Sequence, residues 1–177
     1  MDNKNVYIVI TQTGTILSRT LKAVTGAKYN HASISLSDDL ETMYSFGRKN
    51  PYNPFWAGFV TEAPNKGTFK RFHKTNALVM EFEIDEENFE KLDNRLTSML
   101  NSQEQYQFNY LGILLAAFGI KRRKENCYYC SEFVKELAQS CELEGADELD
   151  KIVHPIHFMN LPHKVIYTGR INEYNKQ

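Results

Sequence analysis

Cysteine is scarce in this chain: three residues of 177, an odd count. That excludes a disulfide scaffold and fits free thiols in a reducing compartment. An excess of one charge is also lacking. The formal net charge is −1, so no global field draws the chain to nucleic acid or to an anionic membrane. Long apolar runs are missing as well. YLGILLAAFGI at 110–120 falls well short of the roughly 20 residues that span a bilayer, and reads as a buried helix. The apolar run in MDNKNVYIVITQTG is shorter still, too short for a signal-peptide core. Both gaps point to a soluble, cytoplasmic protein with no transmembrane segment. Five prolines, nine glycines and no repeat or low-complexity tract exclude fibrous and disordered classes.

What is present suits one domain spanning 1–177, with 42% hydrophobic and 24% charged residues. NVYIVIT at 5–11 is β-branched and aromatic and reads as a buried strand. ILSRTLKAV at 16–24 has helical spacing, with Gly26 as its stop. HASISLSDDLETMYSF at 31–46 predicts two strands around a two-residue turn at Asp38–Asp39. NPYNPFWAGF at 50–59, rich in Asn, Pro and aromatics, reads as a loop. ALVMEFEI at 77–84 alternates as a half-buried strand. Asp85 then caps a helix whose apolar stripe is Phe89, Leu92, Leu96 and Leu100. KVIYTGRI at 164–171 closes the chain as a strand. Strands at the start, middle and end with helices grouped between them predict an α+β fold. The basic run KRRK at 121–124 reads as a solvated loop.

The chemistry concentrates in ENCYYCSEFVKELA at 125–138. With Cys130 as the first residue of a helix, Phe133, Val134, Leu137, Ala138 and Cys141 form one apolar face. At a helix N-terminus, unpaired N–H groups and the dipole favour thiolate over thiol. The same groups receive an oxyanion. Ser131, in the first turn, is therefore an oxyanion candidate. A redox pair, Cys127 with Cys130, is the weaker reading, because a thioredoxin-like C-x-x-C follows the first strand of a βαβ unit. A metal site is weaker still. No second C-x-x-C or H-x-x-x-H is present, and Cys141 lies about three helical turns from Cys130. Neither a metal nor an organic cofactor is called for.

A cysteine nucleophile takes a base, most often His. His154, His157 and His163 sit in a Pro-punctuated loop, and His73 lies among Lys70, Arg71 and Lys74. His31 opens a strand in YNHASISL, with small Ala32 and Ser33 behind it. A strand holds the ring rigidly, and the small neighbours leave room for a partner element.

YNHASISL followed much later by YYCSEFVKEL resembles the circularly permuted NlpC-like branch of the papain-like cysteine peptidases. That branch includes YiiX-type bacterial proteins and, more distantly, the lecithin–retinol acyltransferase group. TQTGTILSRTLKAVTGAKYNH and VHPIHFMNLPHKVIYTG resemble the segments that open and close that pattern, so the resemblance covers most of the chain. It implies a permuted papain-like fold, an antiparallel sheet packed against helices, with Cys130 as nucleophile and His31 as base. The family's third, orienting residue lies on the strand after the His strand, here ETMYSFG at 41–47, where no His, Glu, Asp or Asn stands in its place. A two-residue turn puts Phe46 opposite His31, and a one-residue register change brings Ser45 there instead. The orienting group is thus Ser45, Glu62 from the following segment, or a backbone carbonyl. Tyr44 on that strand and Trp56, with Phe55 and Tyr52 beside it in the loop, are candidates for the cleft wall. The implied activity is hydrolysis of an amide, as in a peptide of cell-wall type, or of an acyl ester. A non-catalytic binding domain of the same fold is the alternative from another class.

Overall fold

A computed structural model of the chain describes residues 3–13 and 28–175. The helix expected at 16–24 lies outside the described residues. The strands are β1 (Asn3–Gln12), β2 (His31–Ser35), β3 (Met43–Asn50), β4 (Asn53–Glu62), β5 (Asn76–Asp85), β6 (Gln107–Phe108), β7 (Cys127–Tyr128) and β8 (Lys164–Arg170). The helices are α1 (Gly67–Arg71), α2 (Glu86–Asn101), α3 (Tyr110–Ala116) and α4 (Cys130–Ser140). The strands form one sheet in the order β7-β6-β4-β3-β2-β1-β5-β8. Every neighbouring pair is antiparallel except β6 and β7. The architecture is mixed α+β, an open and mostly antiparallel sheet with a few helices.

Alternation in β1 and β5 divides the apolar residues between two faces. Val6, Ile8 and Ile10, with Leu78, Met80 and Phe82, face the side covered by α2 and α4. Tyr7, Val9, Ala77 and Val79 face the other side, where Phe69 of α1, Leu40 and Ile171 cover them. α2 starts as its sequence predicts: the Asp85 carboxylate accepts from the Asn88 N–H at 2.8 Å. α4 begins at Cys130 and buries Phe133, Val134, Leu137 and Ala138 against β2 and β3. Phe46 of β3 is the hub of that contact. Its ring centroid lies 5.7 Å from Phe59, 5.2 Å from Tyr128 and 5.1 Å from Phe133.

Three expectations need correction. The segment 50–59 is a hairpin rather than a loop: β3 runs to Asn50 and β4 starts at Asn53. Asn50 and Asn53 side chains accept from the Tyr52 and Phe55 N–H groups, making the tight turn themselves. Pro54 is tolerated in β4 because its outer neighbour β6 pairs only at Gly58. The link between β2 and β3 spans 36–42, longer than the two-residue turn expected. Finally, the 110–119 helix is not buried. α3 packs inward through the small residues Gly112 and Ala116, so Leu114 and Phe118 stand 56% and 69% exposed. Among the described residues, no helix is long and apolar enough to cross a membrane.

Phe46→Ala removes the aromatic hub between sheet and α4 and leaves a cavity. It is expected to cost about 3–5 kcal/mol in a urea unfolding titration, with little change in the slope.

Candidate active site

His31 is the first residue of β2, paired with Thr11 of β1. Its ring lies edge-on to Phe69, at a centroid distance of 6.4 Å. Alternation places Ser33 on the same face of the sheet. Glu62 ends β4, two strands away, with β3 between them. The carboxylate crosses β3 and meets the ring. Glu62 Oε2 lies 2.8 Å from His31 Nε2 and also accepts a 2.8 Å hydrogen bond from Ser33 Oγ.

This crossing needs space over the middle strand. The β2–β3 register, Ile34 to Tyr44 and Ser35 to Met43, carries on to put Gly47 opposite His31. A Cβ on Gly47 lies 3.4 Å from both Glu62 Oε1 and His31 Cε1. A methyl group there would be in van der Waals contact with both, so the imidazole and carboxylate meet over a position with room for a small residue only. The expected neighbours are elsewhere. Phe46 is in the helix-side core. Ser45 is fully buried and donates its hydroxyl to the Ala32 carbonyl at 2.6 Å. Of the two side chains expected to orient the ring, Glu62 reaches it and Ser45 does not. The longer 36–42 link is the reason, since it shifts the register that a two-residue turn imposes.

Cys130 comes from the other direction. Parallel pairing of Gln107 with Cys127 and Phe108 with Tyr128 brings the chain to the start of α4, where Tyr129 is the N-cap in extended conformation. The Phe133 N–H bonds the Tyr129 carbonyl at 3.0 Å, so the N–H groups before it have no acceptor within the helix. Ser131 Oγ ties this turn to the Val153 carbonyl at 2.6 Å. Its hydroxyl is thus committed away from the cleft, and only its backbone N–H is left for an oxyanion. Glu136 anchors the helix further along, accepting from Arg95, from Arg123 at 2.7 Å and from the Tyr128 hydroxyl at 2.9 Å. The KRRK run is an exposed loop, as expected, and its Arg123 adds a surface ion pair to Glu136.

Cys130 shares one cleft with the His31 imidazole and acts on it electrostatically, favouring its protonated form. With Nε2 facing Glu62, the nitrogen left for the sulfur is Nδ1. An ionised carboxylate only accepts, so Nε2 carries a proton. Burial disfavours the imidazolium, but Glu62 and then Cys130 outweigh it, and His31 titrates well above its ordinary 6.5. Glu62 moves the opposite way. Burial raises it, yet His31 and the Ser33 hydroxyl hold it below its ordinary 4.5.

Cys130, His31 and Glu62 open onto one cleft, whose wall includes Gly47, Arg48 and Tyr110. Tyr44 is not in it; its ring stacks on Phe59 at 6.3 Å on the helix side. Trp56 lines a separate, adjoining groove. Cys127 is buried on β7 outside the cleft, and burial raises its thiol. Cys141 is 1% exposed, and burial pushes its thiol up to about 11. All three cysteines are free. Among the described residues, no cluster of three His, Cys, Asp or Glu side chains is arranged to hold a metal ion. His154, read as an ordinary loop histidine, borders a small cavity that shares Asn30, Ile113 and Cys130 with the cleft.

Sequence reasoning passed over Ser33 and Gly47 as parts of the site. Ser33 was legible as the residue two positions from His31, hence on its face. Gly47 was legible as a glycine inside a strand pattern, a sign of close approach. In comparisons with known proteins, the chain matches no family model, no curated protein and no solved structure.

Glu62→Gln keeps the shape and removes the charge. In an NMR titration the His31 pKa is expected to fall, because burial then acts without its counterweight. Stability should follow. His31 titrates higher folded than unfolded, so its contribution is full below pH 6.5 and is lost as pH rises through the folded value. Glu62 titrates lower when folded, so its contribution is full above pH 4.5 and is lost as pH falls through the folded value. The Tm difference between wild type and Glu62→Gln should be greatest between pH 4.5 and 6.5.

Proposed function

We propose that the chain is a cysteine hydrolase of the permuted papain-like, NlpC-like kind, with Cys130 as nucleophile, His31 as base and Glu62 as the orienting residue. The reading rests on one observation above all. A cysteine at a helix N-terminus lines the same cleft as an imidazole that a buried carboxylate holds at 2.8 Å. The chain order, His before Cys, is that of the permuted family it resembles. The substrate class is an amide, including a peptide of cell-wall type, or an acyl ester.

In this mechanism His31 holds the Cys130 proton and the thiolate attacks the substrate carbonyl carbon. The sulfur–carbon bond forms as the carbonyl electrons move to oxygen. The free N–H groups at the start of α4 receive that oxyanion. Collapse of the intermediate breaks the bond to the leaving amine or alkoxide, which takes the proton from His31. Water then attacks the thioester, giving its proton to His31, and the acid and the thiolate are released. Glu62 stays ionised throughout, keeping the Nε2 proton in place and the ring in its plane with Cys130.

Alkylation rate against pH tests the pair without a known substrate. Cys130 should react with iodoacetamide at mildly acidic pH, where thiols with an ordinary pKa of about 8.5 are slow. Cys141 should stay unmodified until unfolding, and His31→Ala should slow Cys130 at low pH. If mass spectrometry finds Cys130 no faster than a free thiol below neutrality, or indifferent to His31, the proposed pair does not exist. Cys127→Ala separates this reading from a two-cysteine redox site. It should leave Cys130 reactivity and the fold largely unchanged, whereas a redox pair loses its chemistry with Cys127.

A further inference from the structure

Among the described residues, the only Lys or Arg lining the cleft of Cys130 is Arg48. It follows Gly47 on β3 and lines the cleft together with His31 and Glu62. Its Nη2 is shielded from solvent and has no hydrogen-bond partner. A guanidinium is always charged, and a shielded donor with no acceptor is costly to keep. Glu62 lines the same cleft but makes no ion pair with Arg48; its Oε2 is engaged by His31 and Ser33. The cationic side chain acting on Arg48 is Arg71, which repels it; Tyr110 acts on it more weakly in the opposite sense.

The surroundings continue the pattern. A second groove shares Arg48, Glu62 and Thr68 with the cleft and adds Lys49 and Lys66. Lys66 reaches Glu41 only at 3.7 Å, with both side chains well exposed, so that pair is weak. Cations thus run from the reacting cysteine along the groove, while the one carboxylate among them is already paired.

We propose that Arg48 binds an anionic group of the substrate, a carboxylate or a phosphate that lies beyond the acyl carbonyl and leads into the Lys49–Lys66 groove. The proposal rests on Cys130 being the nucleophile and narrows the substrate to an acidic acyl compound. The planar fork of Arg48 suits both groups, since each offers two oxygens to parallel N–H donors.

Two alkylating agents that differ by one group test it. Iodoacetate and iodoacetamide react by the same displacement: the Cys130 sulfur bonds to the methylene carbon, the carbon–iodine bond breaks and iodide leaves. Only iodoacetate carries a carboxylate. The iodoacetate-to-iodoacetamide rate ratio at Cys130, normalised to glutathione, should exceed one in the wild type. Arg48→Met, which keeps the stem and leaves His31 in place, should lower that ratio roughly tenfold, the factor expected from losing one charge-assisted hydrogen bond. Arg48→Lys should retain part of it. A ratio that Arg48→Met leaves unchanged overturns the anion site, even if iodoacetamide still singles out Cys130. Loss of iodoacetamide selectivity instead overturns the nucleophile.

A second measurement does not depend on Cys130 reactivity. Thermal unfolding at fixed ionic strength, with acetate or inorganic phosphate added, should raise the wild-type midpoint and not that of Arg48→Met. Stabilisation by phosphate alone assigns a phosphorylated substrate, and by acetate alone a carboxylated one. No stabilisation of the wild type by either anion overturns the proposal.

Discussion

A buried imidazole tolerates a proton only beside an ionised partner, and the arrangement around His31 follows from that constraint. Glu62 is the partner, and it lies two strands away. For its carboxylate to arrive, the intervening strand can carry only small groups on that face. Gly47 meets that demand with no side chain, and Ser45 does so by turning a small hydroxyl onto the Ala32 carbonyl. Ser33 then fills the remaining acceptor capacity of the same carboxylate oxygen. Three adjacent strands therefore contribute to one ion pair, and the register among them is as much a part of the site as the charged groups.

The sulfur has a separate support. α4 rests on the aromatic cluster of Phe46, Phe59 and Phe133, while Glu136 gathers Arg95, Arg123 and Tyr128 around its outer side. Ser131 pins the first turn to Val153. Packing sets the height of the helix above the sheet, and the polar ties set how far its first residue projects. Cys130 and His31 thus come from two elements held by different interactions.

Local features were legible in the chain. The β-branched run at 5–11, the alternation at 77–84, the Asp85 cap and the apolar face from Phe133 to Cys141 each depend on near neighbours, and each has its element where the pattern puts it. Cys130 as the first residue of a helix, and His31 as the first of a strand, were readable for the same reason. The hairpin at 50–59 was obscured because Asn and Pro signal turns, while here they shape a tight one between two paired strands. The exposed face of α3 was misread because an apolar run carries no mark of which side packs. Small Gly112 and Ala116 make the contact and the large residues face out.

Sequence alone determined which residue types could act and on what elements they stand, because helix and strand periodicities are properties of adjacent residues. Tertiary structure alone decided that Glu62, and not Ser45, holds the ring of His31. That choice turns on the length of the 36–42 link, on the register it sets across β2, β3 and β4, and on a gap at Gly47 visible only once the three strands are side by side. Pairing across a sheet is non-local, and a shift of one residue exchanges the faces of every side chain in a strand.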